Sequence, residues 1–380
     1  MTPRSIRSGS PGARPIQAFA WLLILHSAHA WAQSSAAGPP DRSLRLWYDR
    51  PAAAWLEALP LGDGSLGAMV YGGVPSERIQ LNDATLWSGG PKDCDNPEAL
   101  KALPEIRQLI REGRFADAHQ LGTKMMGPYT QTYLPMGDLT LDFAGQGDPR
   151  DYRRSLDLDT AVASTTYTAN DVHFTREAFV SHVDRALVVR LAASRPGALT
   201  FAAKLGSRLR FHIRADDGAL VLRGKAPAHV DPNYYDRPNP VVYADDEAGE
   251  GMNFEVRLKA LSDGEVVVGD DGLKVIGATT ATLILTAGTS YNGFDRSPGK
   301  AGVDPAPIAA GRLAKAAARP YDDLLRDHIQ DHQSLFRRVA IDLGPAAPGP
   351  WRSRPTGGSS GSARRTPAWS PCTSSTAATS

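Results

Sequence analysis

From Leu139 to about Thr289 the chain offers short apolar runs separated by polar breaks, with no helical spacing between them. Thr140 to Phe143, Val162 to Ala169, Val172 to Val180 and Ala186 to Ala193 open the series. Leu199 to Leu205, Leu209 to Ala215, Ala219 to Leu222 and Asn253 to Leu261 continue it, and Glu265 to Val268, Leu273 to Ile276 and Thr280 to Thr286 complete it. Asn170-Asp171 fits a two-residue hairpin turn, because both residue types tolerate positive φ. So many strands without crossover helices cannot build a parallel sheet. They predict a mainly β fold, a large antiparallel sandwich.

Helical patterns flank that region. Asn96 can cap and Pro97 suits a first turn; Leu100, Leu103, Ile106, Leu109 and Ile110 then recur at helical spacing up to Gly113. A second helix from about Phe115 to Lys124 puts Phe115, Ala118 and Leu121 on one face, and both are expected to pack against a sheet. Asp304 to Arg319 and Tyr321 to Val339 form another pair, parted by Pro320. On the last of these, Leu324, Leu325, His328, Ile329, His332, Leu335 and Phe336 share a face. His328 and His332 have the spacing of a two-histidine metal site, but no glutamate stands beside His328 and no third ligand is evident, so no metal or other cofactor is assigned.

The net charge of +1, with both signs interspersed, excludes nucleic acid and anionic membranes as implied partners. Arg4, Arg7 and Arg14 precede an apolar run, Ala18 to Leu25, that is too short to span a bilayer. Ala30-Trp31-Ala32 fits signal-peptide cleavage before Gln33, with Ala28-His29-Ala30 as the competing site. The protein is therefore expected to be exported, periplasmic or extracellular. Only Cys94 and Cys372 are present, so the fold relies on its core and not on a disulfide frame.

The stretch Glu77 to Pro91 carries the densest chemistry. Arg78 to Leu81 is a strand with Ile79 and Leu81 on one face, and Asn82-Asp83 is expected to break it. Thr85-Leu86-Trp87 and the loop Ser88-Gly89-Gly90-Pro91 follow. A lone tryptophan at such a turn is most often core. The alternative is a sugar-facing loop, in which the indole stacks on a pyranose and Asn, Asp or Thr bond its hydroxyls. A long loop, Ala228 to Gly251, holds Tyr234, Tyr235, Asp236, Arg237 and Tyr243 and is either a binding loop or disordered. The candidate substrate-side residues are Asp63, Thr85, Trp87, Tyr234 and Tyr235.

Two of these stretches together carry a resemblance. Trp55 to Gly73 contains Ala58-Leu59-Pro60-Leu61-Gly62-Asp63-Gly64 and Gly67-Ala68-Met69-Val70; Glu77 to Pro91 reads ERIQLNDATLWSGGP. With Tyr133-Leu134-Pro135-Met136-Gly137-Asp138-Leu139, and more loosely on to about Leu343, the chain resembles the N-terminal part of glycoside hydrolase family 95, the α-L-fucosidases. The resemblance implies a β-super-sandwich, a helical linker, and then an (α/α)6 barrel whose funnel holds the active site. It implies inverting hydrolysis of α-L-fucosides, with a Glu acid and an Asn/Asp base arrangement supplied by the barrel. None of those catalytic residues maps onto this sequence, so no catalytic residue is assigned. The implied partner is a fucosylated glycan.

The expected organisation is a signal peptide over 1–32, a disordered leader over 33–42, a β-sandwich over 43–300, a helical linker over 301–343 and a disordered tail over 344–380. The catalytic barrel is expected to be missing and the chain inactive alone. Two alternatives stand beside this: a free-standing carbohydrate-binding sandwich, or the N-terminal domain of a related (α/α)6 disaccharide phosphorylase. Periodicity vanishes after Leu343, and Gly, Ser, Arg, Pro and Thr dominate to Ser380. Shifting the frame across Thr366 to Ser380, with permitted codons, yields an apolar, aromatic helix pattern, so the tail is expected to be frameshifted.

Overall fold

Glycine, asparagine and aspartate punctuate the strands, and the apolar faces between them close on one another as two stacked antiparallel sheets. The computed structural model describes residues 44–128, 131–143, 145–234, 236–246 and 248–341. The expected signal peptide, the leader, the tail from 344 onward and Tyr235 lie outside the described residues. Within them, Leu46 onward forms one compact unit.

The first sheet has nine strands. They are β1 (Arg45–Tyr48), β6 (Arg150–Asp157), β7 (Val162–Ala169), β8 (Val172–Ser181), β9 (Ala186–Ala193), β18 (Thr280–Thr289), β15 (Asn253–Ser262), β12 (Ala219–Lys225) and β11 (Arg210–Asp216), in that spatial order. The second has seven: β16 (Glu265–Gly269), β17 (Gly272–Ala278), β10 (Leu199–Gly206), β5 (Gly137–Phe143), β4 (Ser76–Asp83), β3 (Leu66–Val70) and β2 (Leu59–Gly62). The mainly β, antiparallel expectation holds. Asn170 and Asp171 both take positive φ, 50° and 58°, in the β7–β8 hairpin turn. Pro60 is tolerated because β2 is an edge strand and needs no outer amide.

Burial explains which strands alternate and which do not. In β4 Glu77, Ile79, Leu81 and Asp83 face inward, while Arg78, Gln80 and Asn82 face outward. β9 and β18 are apolar almost throughout because both their faces are covered. On one side lies the inter-sheet core. On the other lie α3 (Pro305–Ala317) and α4 (Tyr321–Phe336), the linker helices, whose Leu313, Ala316 and Leu324 pack on Phe179, Val188 and Ile284. Asp304 caps α3, accepting the Ala306 amide at 3.1 Å.

Several expectations need correction. Asn82-Asp83 does not break the strand; β4 runs through Asp83, and the turn begins only at Ala84. The helical insertion, α1 (Ala99–Arg111) and α2 (Phe115–Gly122), does not bury an apolar face on a sheet. It buries only Leu109 and Ala118 and leaves Leu100, Ile110 and Phe115 exposed. Asn96 stands two residues before the formal N-cap, Glu98, and still makes a cap's bond, its Oδ1 accepting the Glu98 amide at 2.9 Å, while its side-chain amide donates to the Lys124 and Met126 carbonyls and ties the insertion's two ends together. The loop 228–251 is not structureless: β13 (His229–Val230) pairs with β14 (Val241–Val242), and the Arg210 amide donates to the Tyr243 hydroxyl at 3.1 Å. His328 and His332, to which no metal is assigned, each set Nε2 against a backbone carbonyl, Thr160 at 3.0 Å and Leu158 at 2.9 Å. They anchor α4 to the β6–β7 turn. Of the shared apolar face of α4, Leu324 and His328 are buried, whereas Leu335 and Phe336 remain exposed.

Strands β2, β6, β13 and β14 went unread, and β6 is the most instructive. β6, with the sequence RDYRRSLD, is too charged to register as a strand. It is one because Arg154 is buried at 1% exposure, donating to the Arg50 and Glu57 carbonyls at 2.8 Å each and lying over the Tyr48 ring. Beside it sits a second buried cation, Arg176, with its guanidinium 3.5 Å from Glu77 Oε2 and donating to the carbonyls of Gly73 and Val74 and to the Tyr167 hydroxyl. Glu77 in turn accepts the Gly72 and Arg78 amides. Burial raises its carboxyl to about 7, against the pull of Arg176 and those amides.

Candidate functional site

The Trp87 loop is built by local hydrogen bonds that the sequence makes unavoidable. Asp83 Oδ1 accepts the Thr85 amide at 2.9 Å and its hydroxyl at 2.6 Å, closing an Asx turn at the strand end. Leu86, fully buried, pins the turn into the core. The neighbouring Trp87 must then point outward. Its ring is 42% exposed, with Nε1 donating to the Ala84 carbonyl at 3.0 Å and the ring face 5.2 Å from Tyr133. The indole is presented, and it is held in place.

The glycines follow from close approach. Gly89 has φ +66°, and a Cβ there would sit 2.9 Å from the Ala228 carbonyl; one at Gly90 would sit 2.8 Å from Glu250 Oε2. The Ser88 amide donates to the Thr132 carbonyl, the Gly89 amide to the Pro227 carbonyl, and Gln131 Nε2 to the Gly90 carbonyl. The loop is therefore clamped between residues 131–132 and 227–228.

This clamp forms one wall of a cavity of about 350 Å³. Thr85, Trp87 and Gln131 line it on one side, and Tyr291, Phe294 and Arg296, which follow β18, line it on the other. Thr85 also joins the two sides, its hydroxyl 2.6 Å from that of Thr289. Phe294 is 88% exposed, and neither Lys92 nor Arg296 has an ion-pair partner among the described residues. Among the described residues, no aspartate or glutamate lines the cavity. Asp83 bonds the hydroxyl of the lining Thr85, and the Glu250 carboxylate stands behind Gly90. Burial pushes its carboxyl up, but hydrogen bonds from Ser297 and Lys300 and the Lys300 charge prevail and hold it below its ordinary value. Burial, and then the Asp83 charge, push the Tyr133 phenol up, so it stays a neutral hydroxyl at physiological pH.

Of the candidate residues, Thr85 and Trp87 meet in this cavity. Asp63 does not line it. It caps the β2–β3 turn, its Oδ1 accepting the Ser65 and Leu66 amides at 2.8 and 2.7 Å, with Oδ2 buried 3.5 Å from the Arg185 guanidinium. Tyr234 is exposed beyond β13 and outside the lining. Lys92, Gln131, Met252, Tyr291, Phe294 and Arg296 were not foreseen, because they come from segments far apart in the chain. Tyr291-Asn292-Gly293-Phe294, two aromatics about a glycine just past a buried strand, was the one legible hint.

An aromatic-walled cavity on a two-sheet sandwich is what the comparisons with known proteins meet. Residues 46–293 match the family described as glycosyl hydrolase family 65, N-terminal domain. Among curated proteins the chain is 34% identical over 311 residues to "Alpha-L-fucosidase 2" of Arabidopsis thaliana, covering 80% of this chain and 37% of that protein. It is 28% identical over 334 residues to "Probable alpha-fucosidase A" of Aspergillus niger, covering 84% and 40% respectively. The protein of the same name in Aspergillus oryzae is 24% identical over 319 residues, covering 78% and 41%. The chain thus spans about two-fifths of the length of these relatives. By the match over its two sheets, the chain belongs to the family of glycosyl hydrolase family 65 N-terminal domains.

Proposed function

We propose that this chain is the N-terminal sandwich of an α-L-fucosidase-like hydrolase of the family 95 kind, and that the Trp87 cavity is its contribution to sugar recognition. The names of the three relatives and the Glu77 to Pro91 signature support the fucoside assignment. The observation that carries the binding role is the half-exposed Trp87 ring, fixed through Nε1 and Tyr133 beside Thr85 and Gln131. A pyranose has one apolar face and a rim of hydroxyls. An immobilised indole beside hydroxyl and amide groups suits both, at little cost in side-chain ordering.

Binding here does not imply cleavage. Inverting hydrolysis needs a carboxylic acid on one side of the ring and a carboxylate with its water on the other. Among the described residues, the cavity lining offers no carboxyl group. The chain by itself should therefore bind a fucoside and leave it intact. With an aryl α-L-fucoside, product release above a host-matched blank would sink this. Binding should quench tryptophan fluorescence in the native chain and not in Trp87→Ala, and equal quenching in both would remove Trp87 from the site. We also infer export, from the basic start, apolar run and Ala30-Trp31-Ala32. N-terminal sequencing of the secreted protein should begin at Gln33, and a start at Met1 would overturn it.

A further inference from the structure

A second cleft lies along the same outward face, joined to the Trp87 cavity by one extended segment. Gln131, Tyr133 and Pro135 turn outward in alternation, while Leu134 and Met136 are core. The segment runs beside residues 81–88: the Leu134 amide donates to the Leu86 carbonyl at 3.1 Å, and that of Met136 to Leu81 at 3.0 Å. Gln131 lines the Trp87 cavity at one end. Pro135 lines a cleft of about 400 Å³ at the other, with Trp55, Tyr71, Arg78, Gln80 and Arg208. Four extended steps separate Gln131 from Pro135, roughly 13 Å.

The second cleft is equipped much as the first. Trp55 is 50% exposed. Arg78 is held by two hydrogen bonds to Asp138, at 3.0 and 3.2 Å, and lies over the Tyr71 ring, so it shapes the wall. Arg208 has no ion-pair partner among the described residues and is the charge on offer. Gln80 lines this cleft, and its Oε1 has no hydrogen-bond partner among the described residues. Such groups are costly unless something completes them. Between the clefts Tyr133 is 41% exposed and leans on Trp87. Among the described residues, no carboxylate lines either cleft.

We propose that these features form one track for a linear oligosaccharide, with one end in the Trp87 cavity and the chain laid over Tyr133 to Trp55. Separate aromatic platforms with hydroxyl-seeking amides between them suit successive sugar rings, whereas a single monosaccharide would leave the second cleft unused. The inference rests on the carbohydrate reading of the Trp87 cavity, and the test separates the two.

Calorimetry on the 380-residue chain would compare an α-L-fucosyl disaccharide with a fucosylated pentasaccharide. The pentasaccharide should bind about ten-fold tighter, and Trp55→Ala or Arg208→Gln should abolish that gain while the disaccharide affinity holds. Trp87→Ala should weaken both ligands. Should Trp55→Ala unfold the chain, Trp55→Phe keeps a ring and should retain part of the gain. Equal affinity for the two glycans, or a gain that survives both Trp55→Ala and Arg208→Gln, overturns the track and leaves the Trp87 cavity standing. No binding of either glycan removes both readings.

Discussion

Glu77 and Trp87 lie ten residues apart on one signature segment and end in opposite environments. Around Glu77, charges are buried and paired: Arg176 caps the carbonyls of Gly73 and Val74 and lies over the Phe143 ring, and Arg154 closes the next layer. Around Trp87, aromatic rings and two cations stand open, with no carboxylate in the lining among the described residues. Polar groups of the first region are consumed in joining the two sheets. Those of the second are held in place but left uncommitted. A signature motif can thus serve folding at one end and recognition at the other.

Mutation and pH should separate these two ends. Arg176→Ala should cost the most, about 3–5 kcal/mol of unfolding free energy, because it strands Glu77 and two backbone carbonyls in the core. A denaturant midpoint within error of the native chain would show that the network is ornamental. Next comes pH. The Glu77 carboxyl holds its proton up to about 7 in the folded state, whereas the unfolded group releases it near 4.5. The folded state therefore binds the extra proton between those values. This group's contribution is greatest below pH 4.5, falls as pH rises toward 7, and is flat above. The loss should be on the order of 1–3 kcal/mol, and Glu77→Gln should flatten it. An unchanged slope in that variant would assign the pH dependence elsewhere. The smallest effect is expected for Trp87→Ala, about 1 kcal/mol or less, since the ring is 42% exposed and its neighbour Leu86 does the anchoring. A loss of 3–5 kcal/mol, the range for deleting a buried tryptophan, would make Trp87 a core residue and erase the contrast.

Much of this was readable because it depends on local rules. Alternation in Ile79 and Leu81 assigns β4 its inner face, and Asn170-Asp171 supplies the positive φ that a tight hairpin requires. Pro320 separates two helices whatever they pack on. The Asx turn at Asp83 and Thr85 is likewise a matter of neighbours, although the sequence placed it as a strand breaker, and β4 continues to its edge. The α1–α2 insertion shows the limit. Its apolar periodicity is real, yet Leu100, Ile110 and Phe115 stay exposed, because periodicity says which face is apolar and not whether a partner lies opposite.

Chain sequence alone determined the antiparallel sandwich and the two helical pairs, since each follows from side-chain spacing within a few residues. Only the tertiary structure decided that β6 is a strand, that His328 and His332 serve backbone carbonyls, that Trp87 stands half-exposed against Tyr133, and that Gln131, Tyr291, Phe294 and Arg296 meet Trp87. The physical reason is common to all four. A buried arginine, an anchored histidine or a cavity wall owes its role to a partner brought close by the packing of distant segments, and that partner leaves no periodic mark in the chain.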